Sequence, residues 1–420
     1  MNYIKKIDSF NNFYYIKLPK KTSRVYFDIN IKSGYINEND KEFGVGHLLE
    51  HYLIGMFRKL NDSNQVKVGG SIGQESMNYF LDSSKSKIID EARVFIKSIL
   101  EPEFSDERLF QLEKEALINE LYIKLDAPHN FLKEAILDQR VNKKCRYARD
   151  TESCIKNIRK INLKNLEKYH RKFFLKKNVV ITISAYQLKP QVIQKICSFI
   201  KERKMPARLL SYCSIKCSYS GFKIKEIKQN IGKNFSKVVV TFPAYSSKVK
   251  PAQRISLDIL GRLLSDSPDG LSSQLRGIGI YSLDNTIITW RNMGLIYFST
   301  SIMNQKLLVF LKLINGAIKE LKNKEISRNK LNLFLRQIKQ SEKRAFNDNL
   351  ERINWINYDL IHYDRLMPIE EDLKIIDQIT TRGLKAIARK VFKKDLVNII
   401  IIGENVEKIE KDKIKKALDF

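Results

Sequence analysis

The sequence predicts an α+β fold made of two similar α/β halves. The chain has 420 residues, which exceeds the size at which one hydrophobic core keeps growing, so two domains are expected. A pattern of helix, aromatic segment and apolar strand in mid-chain also recurs at the end. Five apolar landmarks share one offset of 218 residues: Ile158, Ile161, Leu166, Phe173 and Phe174 recur as Ile376, Ile379, Leu384, Val391 and Phe392. Such a repeat indicates an internal duplication.

The duplication predicts the domain boundaries. The first half covers residues 1–205 and the second covers residues 218–420. Between them, residues 206–217 form the predicted linker, which begins at Pro206 after a basic stretch. Proline and clustered polar residues are typical of connecting segments.

The first half shows strand, helix and hairpin patterns in order along the chain. Residues 13–32 alternate between apolar and polar, as half-buried strands do, and a polar loop leads from them to a helix that begins near Gly46. Two hairpin strands, two helices and a closing apolar strand follow, at 67–73, 77–82, 87–100, 106–125 and 179–184.

The second half repeats the order of strand, helix and closing strand, at 236–242, 252–264 and 397–402. Its helix takes the place of the helix near Gly46, but it contains neither a histidine nor a pair of glutamates. We therefore expect no metal site in the second half.

The helix near Gly46 carries the sequence His47-Leu-Leu-Glu50-His51. Residues four apart in a helix lie on one face, so the two imidazoles are neighbours and the carboxylate of Glu50 projects over the same face. A catalytic zinc needs nitrogen ligands and a general base beside its open coordination position. The order H-x-x-E-H is the inverted form of the zincin motif, and the chain has only five histidines. Chance is therefore a poor explanation.

Two glutamates on a later predicted helix are candidates to complete the centre. Glu113 and Glu120 are seven residues apart, which is close to two helical turns, so both face the same way. Either could be an ordinary solvated glutamate on a charged helix. However, a catalytic zinc takes three protein ligands, and two histidines leave one position to fill. Glu120 is the predicted third ligand.

The composition indicates which kinds of partner and which cellular location to expect. A formal net charge of +29 favours acidic partners, but no nucleic-acid-reading motif accompanies it. The N-terminus has no secretory pattern and no segment has the length of a membrane helix, so we expect a cytoplasmic protein without a transmembrane segment. The five cysteines are expected to be reduced thiols.

Together these motifs resemble the inverted-motif zinc metallopeptidases related to pitrilysin, insulin-degrading enzyme and the mitochondrial processing peptidase. The resemblance rests on H-x-x-E-H at 47–51 with E-x6-E at 113–120, and on Asp126-Ala-Pro128. It also rests on the S-x-L-R and G-x-Y segments between Ser273 and Tyr281. It covers most of the chain.

This resemblance implies a role for each matching residue. His47, His51 and Glu120 would bind Zn²⁺, Glu50 would be the catalytic base, and Glu113 would be a supporting carboxylate. In the second half, Arg276 and Tyr281 look like the pair that binds the substrate backbone and the tetrahedral intermediate. Members of this length form clamshells of two similar halves, which pair as homodimers or as heterodimers with a related subunit around a chamber for short unfolded peptides.

The predicted function is that of a zinc metalloendopeptidase acting on short or unfolded peptides, such as leader or precursor peptides. The net charge favours acidic peptides. One alternative is a non-catalytic or partner-dependent subunit of a heterodimeric peptidase of the same family. A second is a basic protein that binds nucleic acid or a membrane surface, which the charge alone supports.

Overall fold

The computed structural model describes residues 3–8, 12–61, 66–126, 130–141, 145–203, 205–207, 217–232, 234–267, 270–363, 366–404 and 410–418. The chain divides into two compact units. Unit 1 consists of Met1–Asp126, Arg149–Ser214 and Arg344–Met367, and unit 2 of Ala127–Ala148, Ile215–Lys343 and Pro368–Phe420. Each unit contains one β-sheet, so the predicted fold class of two similar α/β halves is confirmed.

Unit 1 contains a six-stranded sheet. Its strands are β1 (Ile4–Asp8), β2 (Phe13–Lys17), β3 (Arg24–Ile31), β4 (Lys67–Ile72), β5 (Met77–Ser84) and β6 (Val179–Ala185). Their order in the sheet is β1-β2-β6-β3-β5-β4. The predicted hairpin is therefore present as β4 and β5, and β4 is an edge strand. One face of β3 and β5 lies in the hydrophobic core, as the apolar–polar alternation requires.

The helices of unit 1 surround that sheet. They are α1 (Val45–Leu60), α2 (Ile88–Leu100), α3 (Glu107–Asp126), α5 (Thr151–Ile158), α6 (Leu163–Phe173), α7 (Pro190–Lys201) and α12 (Asn349–His362), with a 3-10 turn at Tyr35–Asn37. Helix α1 is buried along most of its length and packs on α2, α3 and β4. The cap of α3 is Asp106, whose carboxylate accepts the N–H of Leu109.

Unit 2 contains a five-stranded sheet with the order β7-β11-β8-β10-β9. The strands are β7 (Lys223–Lys228), β8 (Phe235–Ala244), β9 (Asp284–Thr289), β10 (Gly294–Met303) and β11 (Asn398–Gly403). Its helices are α4 (Asn130–Arg140), α8 (Pro251–Asp266), α9 (Leu271–Gly277), α10 (Leu307–Asn323), most of α11 (Arg328–Phe346), α13 (Ile369–Asp377), α14 (Thr381–Val391) and α15 (Lys411–Ala417). Two 3-10 turns lie at Asn304–Lys306 and Lys394–Leu396.

Each unit includes one helix from the opposite half of the chain. Helix α4 packs on β11 of unit 2, where Gln139 Nε2 donates to the carbonyl of Ile399 at 3.1 Å. Helix α12 packs on β6 of unit 1, where Thr182 Oγ1 donates to Asn357 Oδ1 at 3.0 Å. Gln139 and Asn357 are separated by the repeat offset of 218 residues. The boundaries predicted at 1–205, 206–217 and 218–420 describe the sequence repeat, and they stay a prediction. The two compact units each contain segments from both sides of these boundaries.

Cys145 and Cys217 form a disulfide within unit 2. The prediction that all five cysteines are reduced thiols is therefore wrong for this pair. An antiparallel bridge between Val141 and Tyr219 brings their two segments together, and the two cysteines on these segments are 72 residues apart in sequence. Sequence spacing does not reveal such a contact. Cys154 and Cys197 are buried and form no disulfide, which agrees with the prediction of reduced thiols, and Cys213 lies outside the described residues.

No helix within the described ranges is long and apolar enough to cross a membrane.

Candidate metal centre

The N-terminus of α1 is held by a buried carboxylate. Glu38 accepts hydrogen bonds from the backbone N–H groups of Gly44 and Gly46, each at 2.8 Å. Gly44 adopts φ +104°, and a Cβ at Gly46 would be 2.7 Å from Glu38 Oε1, so both positions favour glycine. Burial raises the pKa of Glu38 to about 8, although the two N–H donors oppose that shift. These contacts fix the start of the helix that carries the histidines.

The two histidines of α1 both direct Nε2 towards the carboxylate of Glu120. Nδ1 of His47 lies 3.1 Å from the hydroxyl of Tyr35. Nδ1 of His51 lies 3.4 Å from Glu113 Oε2. The two Nε2 atoms face Glu120, at 3.7 Å from Oε1 for His47 and 3.3 Å from Oε2 for His51. Both rings therefore have one partnered nitrogen and one that points to the centre.

Helix α3 delivers Glu113 and Glu120 because a glycine lets it approach α1. A Cβ at Gly55 would be 2.6 Å from Glu113 Oε1, so the bare backbone of α1 makes room for that carboxylate. Glu120 is two turns further along α3, as its spacing predicted. The ammonium of Lys124, one turn beyond, contacts Glu120 Oε1.

Glu50 lies between the histidines and the edge of the sheet. Its Oε2 is 3.8 Å from His47 Nε2. On the other side, a Cβ at Gly70 of β4 would be 2.5 Å from Glu50 Oε1. The carboxylate thus lies between the histidines of α1 and the backbone of the edge strand β4.

Burial and close contacts between charged groups raise the pKa of some residues of the centre and lower that of others. Burial lowers the pKa of His47 to about 3 and raises that of Glu50 to about 7. Burial also lowers the pKa of His51, but hydrogen bonds to Glu113 and Glu120 outweigh it and bring the value to about 9. The hydrogen bond from His51 is the largest cause that lowers the pKa of Glu120 to about 2. These shifts favour a neutral His47, chiefly because it is buried, beside a charged His51, which faces two carboxylates; repulsion from His51 adds to the shift of His47.

The donor set is compatible with a metal ion. His47, Glu50 and His51 each offer one possible ligand atom, and these three atoms lie within 4.8 Å of one another. Imidazole nitrogen and carboxylate oxygen are the donors that catalytic zinc takes. Both histidines also have a hydrogen-bond partner on the ring nitrogen that faces away from the centre, as metal-ligating histidines do.

Five of the seven residues predicted from the sequence lie together in this centre: His47, Glu50, His51, Glu113 and Glu120. The other two belong to unit 2. Arg276 is an exposed residue in the last turn of α9. Tyr281 follows the turn at Gly279 and is 86% exposed. Their role in binding substrate stays a prediction.

Several residues of the centre were not found from the sequence. Tyr35 and Glu38 lie in the loop before α1, which looked only polar. Arg149 follows more than a hundred residues later, yet its guanidinium donates to the carbonyls of Glu38 at 2.7 Å and Tyr35 at 3.2 Å. Of these residues, only the contact of Lys124 with Glu120 could have been predicted, because the two lie four residues apart on a predicted helix.

Comparison with known proteins supports the fold. No protein-family model matches the sequence, and no curated protein matches it. A protease from Helicobacter pylori has a similar structure, with a TM-score of 0.80 and 16% identity over 95% of this chain and 99% of the other. A chain of complex III2 from Candida albicans gives a TM-score of 0.79 at 11% identity, over 97% of this chain and 98% of that chain.

A third similar structure is an M16-like peptidase from Alicyclobacillus acidocaldarius. It gives a TM-score of 0.75 at 12% identity and covers 93% of this chain and 96% of the other. Likeness at such low identity establishes the fold and leaves the activity open. The chain therefore has the duplicated α/β fold of the M16-like peptidases.

Proposed function

We propose that this chain is a zinc metalloendopeptidase that cleaves short or unfolded peptides. The observation that carries the proposal is the convergence of two Nε2 atoms, from His47 and His51, on the two carboxylate oxygens of Glu120. Glu50 lies beside the same atoms. Two nitrogen ligands, a carboxylate ligand and a second carboxylate make the set that metal-assisted hydrolysis of a peptide bond requires.

In this proposal His47, His51 and Glu120 hold the zinc. When bound, the ion would act as a Lewis acid towards the peptide carbonyl and lower the pKa of water. Glu50 would take a proton from the attacking water and pass it to the leaving amine, because its carboxylate lies beside the Nε2 atom of His47. Glu113 would orient His51 through Nδ1.

Unit 2 would supply groups for the substrate. We extend the proposal to Arg276 and Tyr281, which would bind the peptide backbone and stabilise the oxyanion. Substituting each by Ala and by Lys or Phe respectively, and measuring kcat and KM separately, tests this role. A lower kcat at unchanged zinc affinity is expected, and unaltered kinetics in all four variants would exclude it.

The net charge suggests which peptides are preferred. At +29 the protein attracts acidic peptides over basic ones, and this attraction weakens with salt. Leader or precursor peptides rich in Asp and Glu would be suitable substrates. We expect kcat/KM for an acidic peptide to exceed that for its basic counterpart at low salt, with the difference shrinking at high salt. Faster cleavage of the basic peptide would rule out this preference.

A second candidate is a non-catalytic or partner-dependent subunit of a heterodimeric peptidase. The similar chain from complex III2 shows that this fold also occurs within a multi-chain complex. The intact H-x-x-E-H sequence and the convergent Glu120 favour an active centre in this chain. An active chain would act as a homodimer or with a related subunit, and cleavage measured with and without such a partner separates these cases.

The deciding experiment for activity is cleavage of a fluorogenic peptide mixture by the purified chain, with and without a zinc chelator. We expect the chelator to stop cleavage and added zinc to restore it. Glu50→Gln should retain zinc and lose most turnover. Glu115→Gln is the matched control, because Glu115 is exposed on α3 and lies outside the centre. Equal turnover by Glu50→Gln and wild type would exclude the proposed mechanism.

A further inference from the structure

The two histidines of the centre have different partners on Nδ1. His51 faces the carboxylate of Glu113, which can only accept a hydrogen bond when ionised. His47 faces the hydroxyl of Tyr35, which can accept or donate. The E-x6-E spacing had indicated Glu113, whereas nothing in the sequence had indicated Tyr35. The position of the His47 ring therefore depends on a residue outside the predicted site.

Tyr35 is held on every side. Its N–H donates to the carbonyl of Gly73 at 3.1 Å, in the turn of the β4–β5 hairpin. Its carbonyl accepts from the N–H of Glu38 and from the guanidinium of Arg149, both at 3.2 Å. Its ring packs edge-on against the ring of Phe43, with centroids 5.5 Å apart. A residue whose backbone and ring are both held in this way is suited to fix the orientation of a neighbour.

The hydroxyl of Tyr35 suits the proton position that His47 needs as a metal ligand. A metal binds the unprotonated ring nitrogen, so Nε2 of His47 must carry no proton, and the proton lies on Nδ1. In that tautomer the Tyr35 oxygen, 3.1 Å from Nδ1, would accept the N–H. Without this acceptor, the ring loses its preference between two orientations that differ by a flip. In the flipped orientation carbon Cε1 would face Glu120 in place of Nε2, and the ring would present no nitrogen to that carboxylate.

We propose that Tyr35 is a positioning residue, whose hydroxyl holds the His47 ring so that Nε2 is directed at the metal position. The proposal rests on the proposed function, because it gives Tyr35 this role only if the centre binds zinc. The loop that carries Tyr35 is hydrogen-bonded to the β4–β5 hairpin. The orientation of the His47 ring therefore also depends on this hairpin, whose strand β4 lies against Glu50.

The zinc affinity of Tyr35→Phe tests the proposal. This change keeps the aromatic ring and removes the hydroxyl alone. We expect zinc to bind 10 to 100-fold more weakly than in wild type, as for other hydrogen-bond partners of metal-ligating histidines, measured by competition with a chromophoric chelator. At saturating zinc most of kcat should return, because the substituted residue does not touch the substrate. The thermal midpoint of the zinc-free chain should be unchanged.

Tyr169→Phe is the matched control. It removes a hydroxyl that lies 3.4 Å from Ser33 Oγ near the same loop and is bonded to no metal ligand. Its zinc affinity should stay within about twofold of wild type. Equal zinc binding by Tyr35→Phe and wild type would overturn the inference and leave the proposed function intact. A wild-type chain that binds no zinc would overturn both.

A measurement on the wild-type chain does not depend on any variant. In the zinc-loaded protein, nitrogen-15 NMR of the histidine side chains should show His47 protonated on Nδ1, with that proton exchanging slowly with water. A His47 ring protonated on Nε2, or an Nδ1 proton in fast exchange, contradicts the role of Tyr35.

Discussion

Gly70 lies against Glu50 so closely that a Cβ at residue 70 would be 2.5 Å from the carboxylate oxygen Oε1. Gly70 belongs to the edge strand β4 and Glu50 to α1. Because Gly70 has no side chain, the edge strand β4 can approach α1 this closely. The backbone of an edge strand therefore fixes the position of the proposed catalytic base.

Substituting Gly70 should consequently impair catalysis more than zinc binding. In Gly70→Ala the new methyl group must displace the Glu50 side chain from its present position. Misplacement of a reacting group by about 1 Å costs on the order of 100-fold in rate. We expect kcat to fall by that order while the zinc content stays at the wild-type value, both measured on the same preparation.

Gly73→Ala is the control for this change. Gly73 follows the same strand, but a Cβ there would be 3.5 Å from the nearest atom, which is ordinary van der Waals contact. It should retain most of the activity. Full activity in Gly70→Ala would show that Glu50 has room to adjust and that the edge strand does not position it.

Lys124 should compete with zinc for Glu120. Its ammonium contacts Glu120 Oε1, and it also lowers the pKa of His47 through its charge. Replacing it by Gln removes a cation from beside the proposed ligands, so zinc should bind several-fold more tightly, roughly threefold to tenfold. Chelator competition measures the change.

Lys114→Gln controls for the lost charge. Lys114 lies on the same helix, but its ammonium donates to the carbonyls of Arg159 and Ile161. Its zinc affinity should not rise. Weaker zinc binding by Lys124→Gln would mean that the lysine supports the centre and does not oppose the metal.

The parts of this site that the sequence predicted are those set by local geometry. His47, Glu50 and His51 share a helical face because of their spacing, and Glu113 and Glu120 do so for the same reason. The zinc motif and its carboxylates were therefore readable without a structure.

The rest depends on contacts between distant segments. Arg149 reaches the loop before α1 only after the chain has passed through unit 2. The exchange of α4 and α12 was missed because a repeat offset shows which segments are equivalent and does not show which sheet they cover. The Cys145–Cys217 disulfide was missed for a similar reason, since a strand bridge brings its two segments together.

His170 should make the stability of unit 1 fall in acid. It is buried, its ring stacks on Phe174 at 4.0 Å, and Nε2 lies 2.9 Å from the carbonyl of Ile99. Burial lowers its pKa to about 4, from 6.5. A lowered histidine pKa means that the neutral form is favoured in the folded chain. Its stabilising contribution is complete above pH 6.5 and is lost as the pH falls towards 4.

The full contribution is roughly 3 kcal/mol. His170→Gln keeps an amide donor for Ile99 but cannot titrate. Urea unfolding at several pH values should show that the wild type loses more stability than this variant between pH 6.5 and 4. Parallel pH profiles for the two proteins would mean that His170 does not contribute to the acid sensitivity.

The disulfide should stabilise the folded chain. Closing a loop of about 72 residues is worth about 4 kcal/mol when the loss of entropy in the unfolded chain dominates. We expect a reductant to lower the Tm of the oxidised protein. The double variant Cys145→Ser, Cys217→Ser should have the lower Tm from the start and not respond to reductant.

A thiol titration checks the pairing directly. Of the five cysteines, two lie in the disulfide, so the unfolded oxidised chain should show three thiols and the reduced chain five. Five thiols before reduction would contradict the disulfide.

The amount of zinc bound per chain tests the central claim most directly. Elemental analysis of the purified wild-type protein, beside Glu120→Ala and the control Glu115→Ala, should give one zinc per chain for wild type and control. Glu120→Ala should have lost most of its zinc, because it removes the proposed oxygen ligand, which both Nε2 atoms face. A wild-type chain without zinc after incubation with the ion, or zinc retained equally in Glu120→Ala, would contradict the proposed centre.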